Sequence, residues 1–127
     1  MSRLHEAAWA GRPAEVKALL AAGLDPNGEC QGGDERWASV VPHPTPLHCA
    51  LMPLRYTPRQ VQVVKLLLRA GAEVQRSHLQ DFLVEATGDR TCTRIWRLLA
   101  RHAPRLVRGH APWEVARTVA RLEAAAR

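Results

Sequence analysis

The sequence predicts an all-α fold built from paired, antiparallel short helices. Three observations predict it. Two sequence blocks recur in the same order along the chain, and their apolar residues fall at helical spacing. Proline opens the clearest of these helices, and glycine or proline follows them. Apolar residues make up 46% of the chain but aromatic residues only 5%, which points to a core of Leu, Val and Ala.

The first block, Leu4-His5-Glu6-Ala7-Ala8, is repeated as Leu47-His48-Cys49-Ala50-Leu51. The second, Val16-Lys17-Ala18-Leu19-Leu20-Ala21-Ala22-Gly23, is repeated as Val64-Lys65-Leu66-Leu67-Leu68-Arg69-Ala70-Gly71. In the first unit, Pro13 belongs in a helical first turn, Val16, Leu19 and Leu20 share a face, and Gly23 stops the helix. The second unit repeats the device: Thr57 is placed to cap, Pro58 opens, Val61, Val64, Leu67 and Leu68 line a face, and Gly71 stops it. A weaker third copy runs Leu83-Val84-Glu85-Ala86, then residues 95–102, with Ile95, Leu98 and Leu99 as its face. No glycine follows, and His102-Ala103-Pro104 is expected to end it. A last helix is expected from about 112 to 125, with Val115, Val119 and Leu122 on one side. Asp25-Pro26-Asn27-Gly28 reads as a turn. The stretch that follows, to residue 44, is long for a connection in a compact domain.

Residues 4–11 followed by 15–27 resemble an ankyrin repeat. Thr45-Pro46-Leu47-His48-Cys49-Ala50 supplies that family's Thr-Pro-Leu-His opening, and residues 66–74 supply its closing block. The resemblance covers about residues 3–107 and implies an ankyrin-repeat solenoid. On this reading one domain spans 1–127: repeat one at about 3–27, an inserted loop at 28–44, repeat two at about 45–75, repeat three at about 76–107 and a cap at 108–127, opening with His110-Ala111-Pro112-Trp113. The residue types fit structural work. Thr45 is placed to cap a helix that Pro46 opens, and small Ala50 lets paired helices approach. Such units bury their faces only by stacking, and about three with a cap is near the minimum. Repeat two departs from the pattern by about five extra residues near 53–57, and repeat three lacks the Thr-Pro start.

Composition narrows the function classes. Cys30, Cys49 and Cys92 are an odd, widely spaced set, which argues against a disulfide framework and for a reducing, cytoplasmic setting. No apolar run is long enough for a membrane span, and the N-terminus does not read as a secretory signal. The net charge of +6 is uneven: residues 76–127 hold ten arginines against five acids. The Ala and Arg bias also suits a GC-rich, bacterial coding sequence.

No constellation for catalysis, cofactor binding or metal binding emerges. His5 and His48 occupy matching positions and are expected to tie adjacent turns. Cys49 beside His48 diverges from it by about 100° on a helix and makes a poor nucleophile–base pair. Cys30, His43 and His48 lack zinc-ligand spacing, and Gly32-Gly33 is a turn. The expectation is therefore a non-catalytic protein-binding module, monomeric when free, with no cofactor. Its expected contact residues are Trp9 and Arg12 at the end of the first helix, Met52, Arg55 and Tyr56 around the inserted turn, Asp34, Glu35, Arg36 and Trp37 in the long loop, and Arg90. Trp and Arg dominate binding hot spots, which favours this set. Trp96 and Trp113 lie in helical patterns and are assigned to the core. Size and family analogy suggest an inhibitor, such as an immunity protein that blocks a toxin or effector. The alternative is nucleic-acid or acidic-partner binding through Arg94, Arg97 and Arg101. That face lacks interleaved aromatics, so a protein partner is preferred.

Overall fold

The computed structural model describes residues 3–29, 44–53, 55–85, 90–108 and 124. Among them the regular structure is entirely helical, as the apolar spacing predicts. The helices are α1 (Arg3–Ala10), α2 (Pro13–Ala21), α3 (Pro46–Leu51), α4 (Pro58–Arg69), α5 (Arg76–Glu85), α6 (Arg90–His102) and α7 (Pro104–Arg108). The chain divides into two compact units, Met1–Glu73 and Val74–Arg127.

In the first unit α1 packs against α3, and α2 against α4. The helices also pack in sequential pairs, α1 on α2 and α3 on α4. Leu4, Ala7 and Ala8 of α1 and Leu47, Ala50 and Leu51 of α3 are buried, and the alanines permit the close approach. Residue pairs three and four apart place these side chains on one helix face. Helix α4 is buried more widely than its sequence stripe suggests: Gln60 and Val63 join Val61, Val64, Leu67 and Leu68. The cause is its neighbours, since α2, α3 and α1 all touch it. By contrast only Val16 of α2 is fully buried, and Leu19 and Leu20 stay half-buried.

The ends of these helices follow local chemistry. Thr45 caps α3, its hydroxyl accepting from the His48 backbone N–H at 3.3 Å. Thr57 occupies the capping position of α4 with extended backbone, but its side chain makes no capping bond. Its carbonyl accepts from Gln60 N–H at 2.9 Å instead, so the expected side-chain cap is replaced by a tight backbone turn. Gly23 and Gly71, with φ of 95° and 99°, stop α2 and α4. At each stop the glycine and the next residue donate back to the last helical turn, a left-handed C-terminal motif. The turn at 25–28 forms as expected, with Gly28 N–H donating to Asp25 O. Asn27 then joins two distant helix ends: its Nδ2 donates to Gly71 O at 3.0 Å and its Oδ1 accepts from Glu73 N–H.

In the second unit Leu79 and Phe82 of α5 and Cys92, Ile95, Trp96 and Leu99 of α6 are buried. Trp96 is thus a core residue, as its helical phase suggests, whereas Leu98 is only half-buried. Helix α6 ends at His102, one residue separates it from α7, and Pro104 opens α7, which packs on α6. The register of the third copy differs from the sequence alignment. Leu83 lies at the end of α5, not at its start. The third residue of α1, α3 and α5 is in each case histidine: His5, His48 and His78, all buried. His78 Nδ1 accepts from Gln75 N–H at 3.2 Å and closes the first turn of α5 from the side-chain half of a capping box. Ser77 stands where the other copies carry leucine, and this hid the correspondence. The expected terminal helix with Trp113, and the core of the inserted loop with Cys30, lie outside the described residues.

Candidate functional site

The C-terminal ends of α1 and α3, with the connections that follow them, carry most of the expected contact residues that can be placed. Trp9 is in the last turn of α1 and half-buried, and Arg12 follows it, exposed, with a guanidinium nitrogen 3.6 Å from Glu15 Oε2. Arg3 reaches the same carboxylate at 3.9 Å. These are surface pairs and contribute little stability. Met52 is the C-cap of α3 and half-buried. Arg55 is exposed in the connection that follows, and Tyr56 is half-buried.

The two helix pairs are joined differently. Only Gly11 and Arg12 separate α1 from α2, whereas residues 52–57 separate α3 from α4. Tyr56 closes the longer connection on itself, its hydroxyl donating to Leu51 O at 2.7 Å. That carbonyl belongs to the last turn of α3, where helix geometry leaves acceptors unpaired. Tyr56→Phe is therefore expected to lower stability by about 1 kcal/mol, the usual net worth of one hydrogen bond. Urea denaturation of both proteins measures this, and an unchanged midpoint would remove the bond's structural role.

Two buried polar residues join distant segments of the first unit, and sequence reasoning missed the stronger one. Gln60 is 1% exposed, and its Nε2 donates to Ala8 O at 3.3 Å and to Ala50 O at 3.1 Å. One side-chain amide thus ties the last turn of α1 to the last turn of α3, immediately before Trp9 and two residues before Met52. The signal was present: Gln60 stands in helical phase with Val64 and Leu67, a polar residue on an apolar face. His5 is the second. Its Nε2 donates to Pro44 O at 2.9 Å, and it also bonds the backbone of Gly28. Gly28 and Pro44 bound the insertion, so α1 holds the points where that segment leaves and rejoins the fold. Burial lowers the His5 pKa from its ordinary 6.5, against the raising effect of the Pro44 and Gly28 bonds.

The remaining expected contacts are Arg90 and four residues of the long loop. Arg90 is exposed at the start of α6, in the second unit. Asp34, Glu35, Arg36 and Trp37 lie outside the described residues. Among the described residues no three His, Cys, Asp or Glu converge as metal ligands. No described helix is long and apolar enough to cross a membrane.

No curated protein and no solved structure matches the chain. Residues 45–78, however, match the family model described as the ankyrin repeat. The match begins at the Thr45 cap and runs through α3, α4 and the glycine stop to His78. Residues 45–78 thus resemble an ankyrin repeat, in keeping with the helical regular structure of the described residues, and such a repeat suggests a protein–protein interaction module.

Proposed function

We propose that the protein is a non-catalytic binder that grips one protein partner with the ends of α1 and α3 and the connection 52–57. The observation that carries this reading is Gln60. A single buried amide fixes both helix ends, so the side chains beside them are presented with little freedom left to lose on binding. Trp9 and Met52 supply apolar contact area, and Arg12 and Arg55 supply exposed charge. Asp34, Glu35, Arg36 and Trp37, together with Arg90, are proposed as further contacts of the same partner. The proposed consequence of binding is inhibition of a toxin or effector in the cytoplasm, with the free protein a monomer.

The test is a pull-down from nuclease-treated lysate, followed by affinity measurement on the retained protein. Trp9→Ala and Trp37→Ala are expected to weaken binding by about tenfold or more each, the scale of a hot-spot aromatic, with unchanged far-UV circular dichroism. Full-strength binding by both variants would remove this surface. Assay of the partner's own activity with and without the protein decides between inhibition and scaffolding.

A second reading has its own observation. Arg90, Arg94, Arg97 and Arg101 are all exposed and recur at turn spacing along α6, a helix with no acidic residue. Such a stripe fits a polyanion. Nucleic acid retained when nuclease is omitted, and released as salt is raised, would favour this face over the first.

A further inference from the structure

Beyond the proposed partner surface, the first unit has a groove on its α2–α4 layer. It encloses about 380 Å³. Pro13 and Ala14 of α2 and Leu66 of α4 are its apolar lining, and Lys17, Lys65 and Arg69 its cationic lining. Gln62 is the remaining lining residue, so the groove has three cations and no acid. All three cationic side chains are exposed, and none has an ion-pair partner among the described residues. The acid nearest in sequence, Glu15, is instead paired to Arg3 and Arg12.

We infer that this groove is a docking site for an acidic protein segment carrying one bulky apolar side chain. The apolar lining suits a leucine or phenylalanine side chain, for which the groove has ample room, and its burial removes the apolar surface of Pro13, Ala14 and Leu66 from water. Lys65 and Arg69 are one helical turn apart on α4, with Cβ atoms roughly 6 Å from each other, a spacing that two carboxylates one turn apart on a helical ligand would meet. Lys17 faces them from α2 and binds an acid on the other flank. The first turn of α2 adds to the same field. Pro13 opens it and no side chain caps it, while Glu15 in the same turn offsets part of the positive helix end. Nucleic acid fits less well. The lining has no aromatic residue on which a base stacks, and its apolar side chains Pro13, Ala14 and Leu66 match no part of a sugar–phosphate backbone.

The test is selection of displayed random peptides on the wild-type protein, with counter-selection against Lys17→Glu/Lys65→Glu/Arg69→Glu. Far-UV circular dichroism checks the fold of that variant. Enriched peptides are expected to place acids on both sides of a large apolar residue. The selected peptide is expected to lose about tenfold or more in affinity with the charge-reversed protein. It should lose as much with Ala14→Trp, which fills the groove and leaves the charge unchanged. If the charge-reversed protein does not fold, Lys17→Gln/Lys65→Gln/Arg69→Gln takes its place. An enriched set without acids, no set surviving counter-selection, or affinity indifferent to Ala14→Trp would overturn the inference. So would single-stranded DNA or phosphatidylserine vesicles that bind the wild type, lose binding with the same variants and displace the peptide. None of these outcomes bears on Trp9 or Met52.

Discussion

Gly11→Ala is expected to destabilise the first unit by about 2–4 kcal/mol, from two separable causes. Gly11 has φ of 68°, the left-handed region, because it reverses the chain between α1 and α2 in only two residues. It donates to Ala8 O, and Arg12 N–H donates to Ala7 O, the same C-terminal motif that ends α2 and α4. A side chain there costs about 1–2 kcal/mol in backbone strain. The second cause is Gln60: a Cβ on Gly11 would lie 2.5 Å from Gln60 Oε1. That oxygen has no hydrogen-bond partner among the described residues, and the amide cannot swing away without breaking its bonds to Ala8 O and Ala50 O. Only a glycine hydrogen fits against it, at best as a weak C–H contact. A double-mutant cycle with Gln60→Ala separates the causes. Urea midpoints should show Gly11→Ala costing at least about 1 kcal/mol less when Gln60 is absent. Equal costs in both backgrounds would show that the glycine serves the turn alone.

His5→Ala is expected to cost about 2–4 kcal/mol near neutral pH, through a lost buried ring and an unpaired buried carbonyl at Pro44. The loss should depend on pH. Burial lowers the pKa of His5 in the folded protein below its ordinary 6.5, so the unfolded chain takes up this proton more readily. Above 6.5 neither state is protonated, and the full contribution of His5 is present. As pH falls through 6.5 the unfolded state gains the proton first, and stability declines until the folded protein's own lower pKa is passed. The stability gap between wild type and His5→Ala should therefore narrow on acidification below about pH 6.5 and stay constant above it. Denaturant melts of both proteins across that range give the gap. A gap that is independent of pH would mean that the ring stays neutral in both states or charges equally in both.

Much of the first unit was legible without coordinates because it rests on short-range chemistry. Pro13, Pro46 and Pro58 open helices, Thr45 caps through a residue three places on, and Gly23 and Gly71 end helices where a side chain would be strained. Each depends on residues within about a turn or two of itself. The Thr57 cap was misjudged because sequence shows which residue stands before a helix, not which way its hydroxyl turns. The third copy was placed out of register because leucine content was matched, whereas the preserved feature is a buried histidine in the first helical turn.

The sequence by itself determined the helix pairs, their stops, the ankyrin signature of residues 45–78 and the positions of Trp9, Met52 and Tyr56 along the chain. Only the tertiary structure decided what those positions do together. Gln60 reaches Ala8 across 52 residues, and His5 reaches Pro44 across 39. The α2–α4 groove likewise needs side chains from both repeated blocks in one place. Such contacts have no local pattern. A polar side chain on an apolar helix face reads as a flaw in the stripe until the fold brings two helix-end carbonyls within its reach.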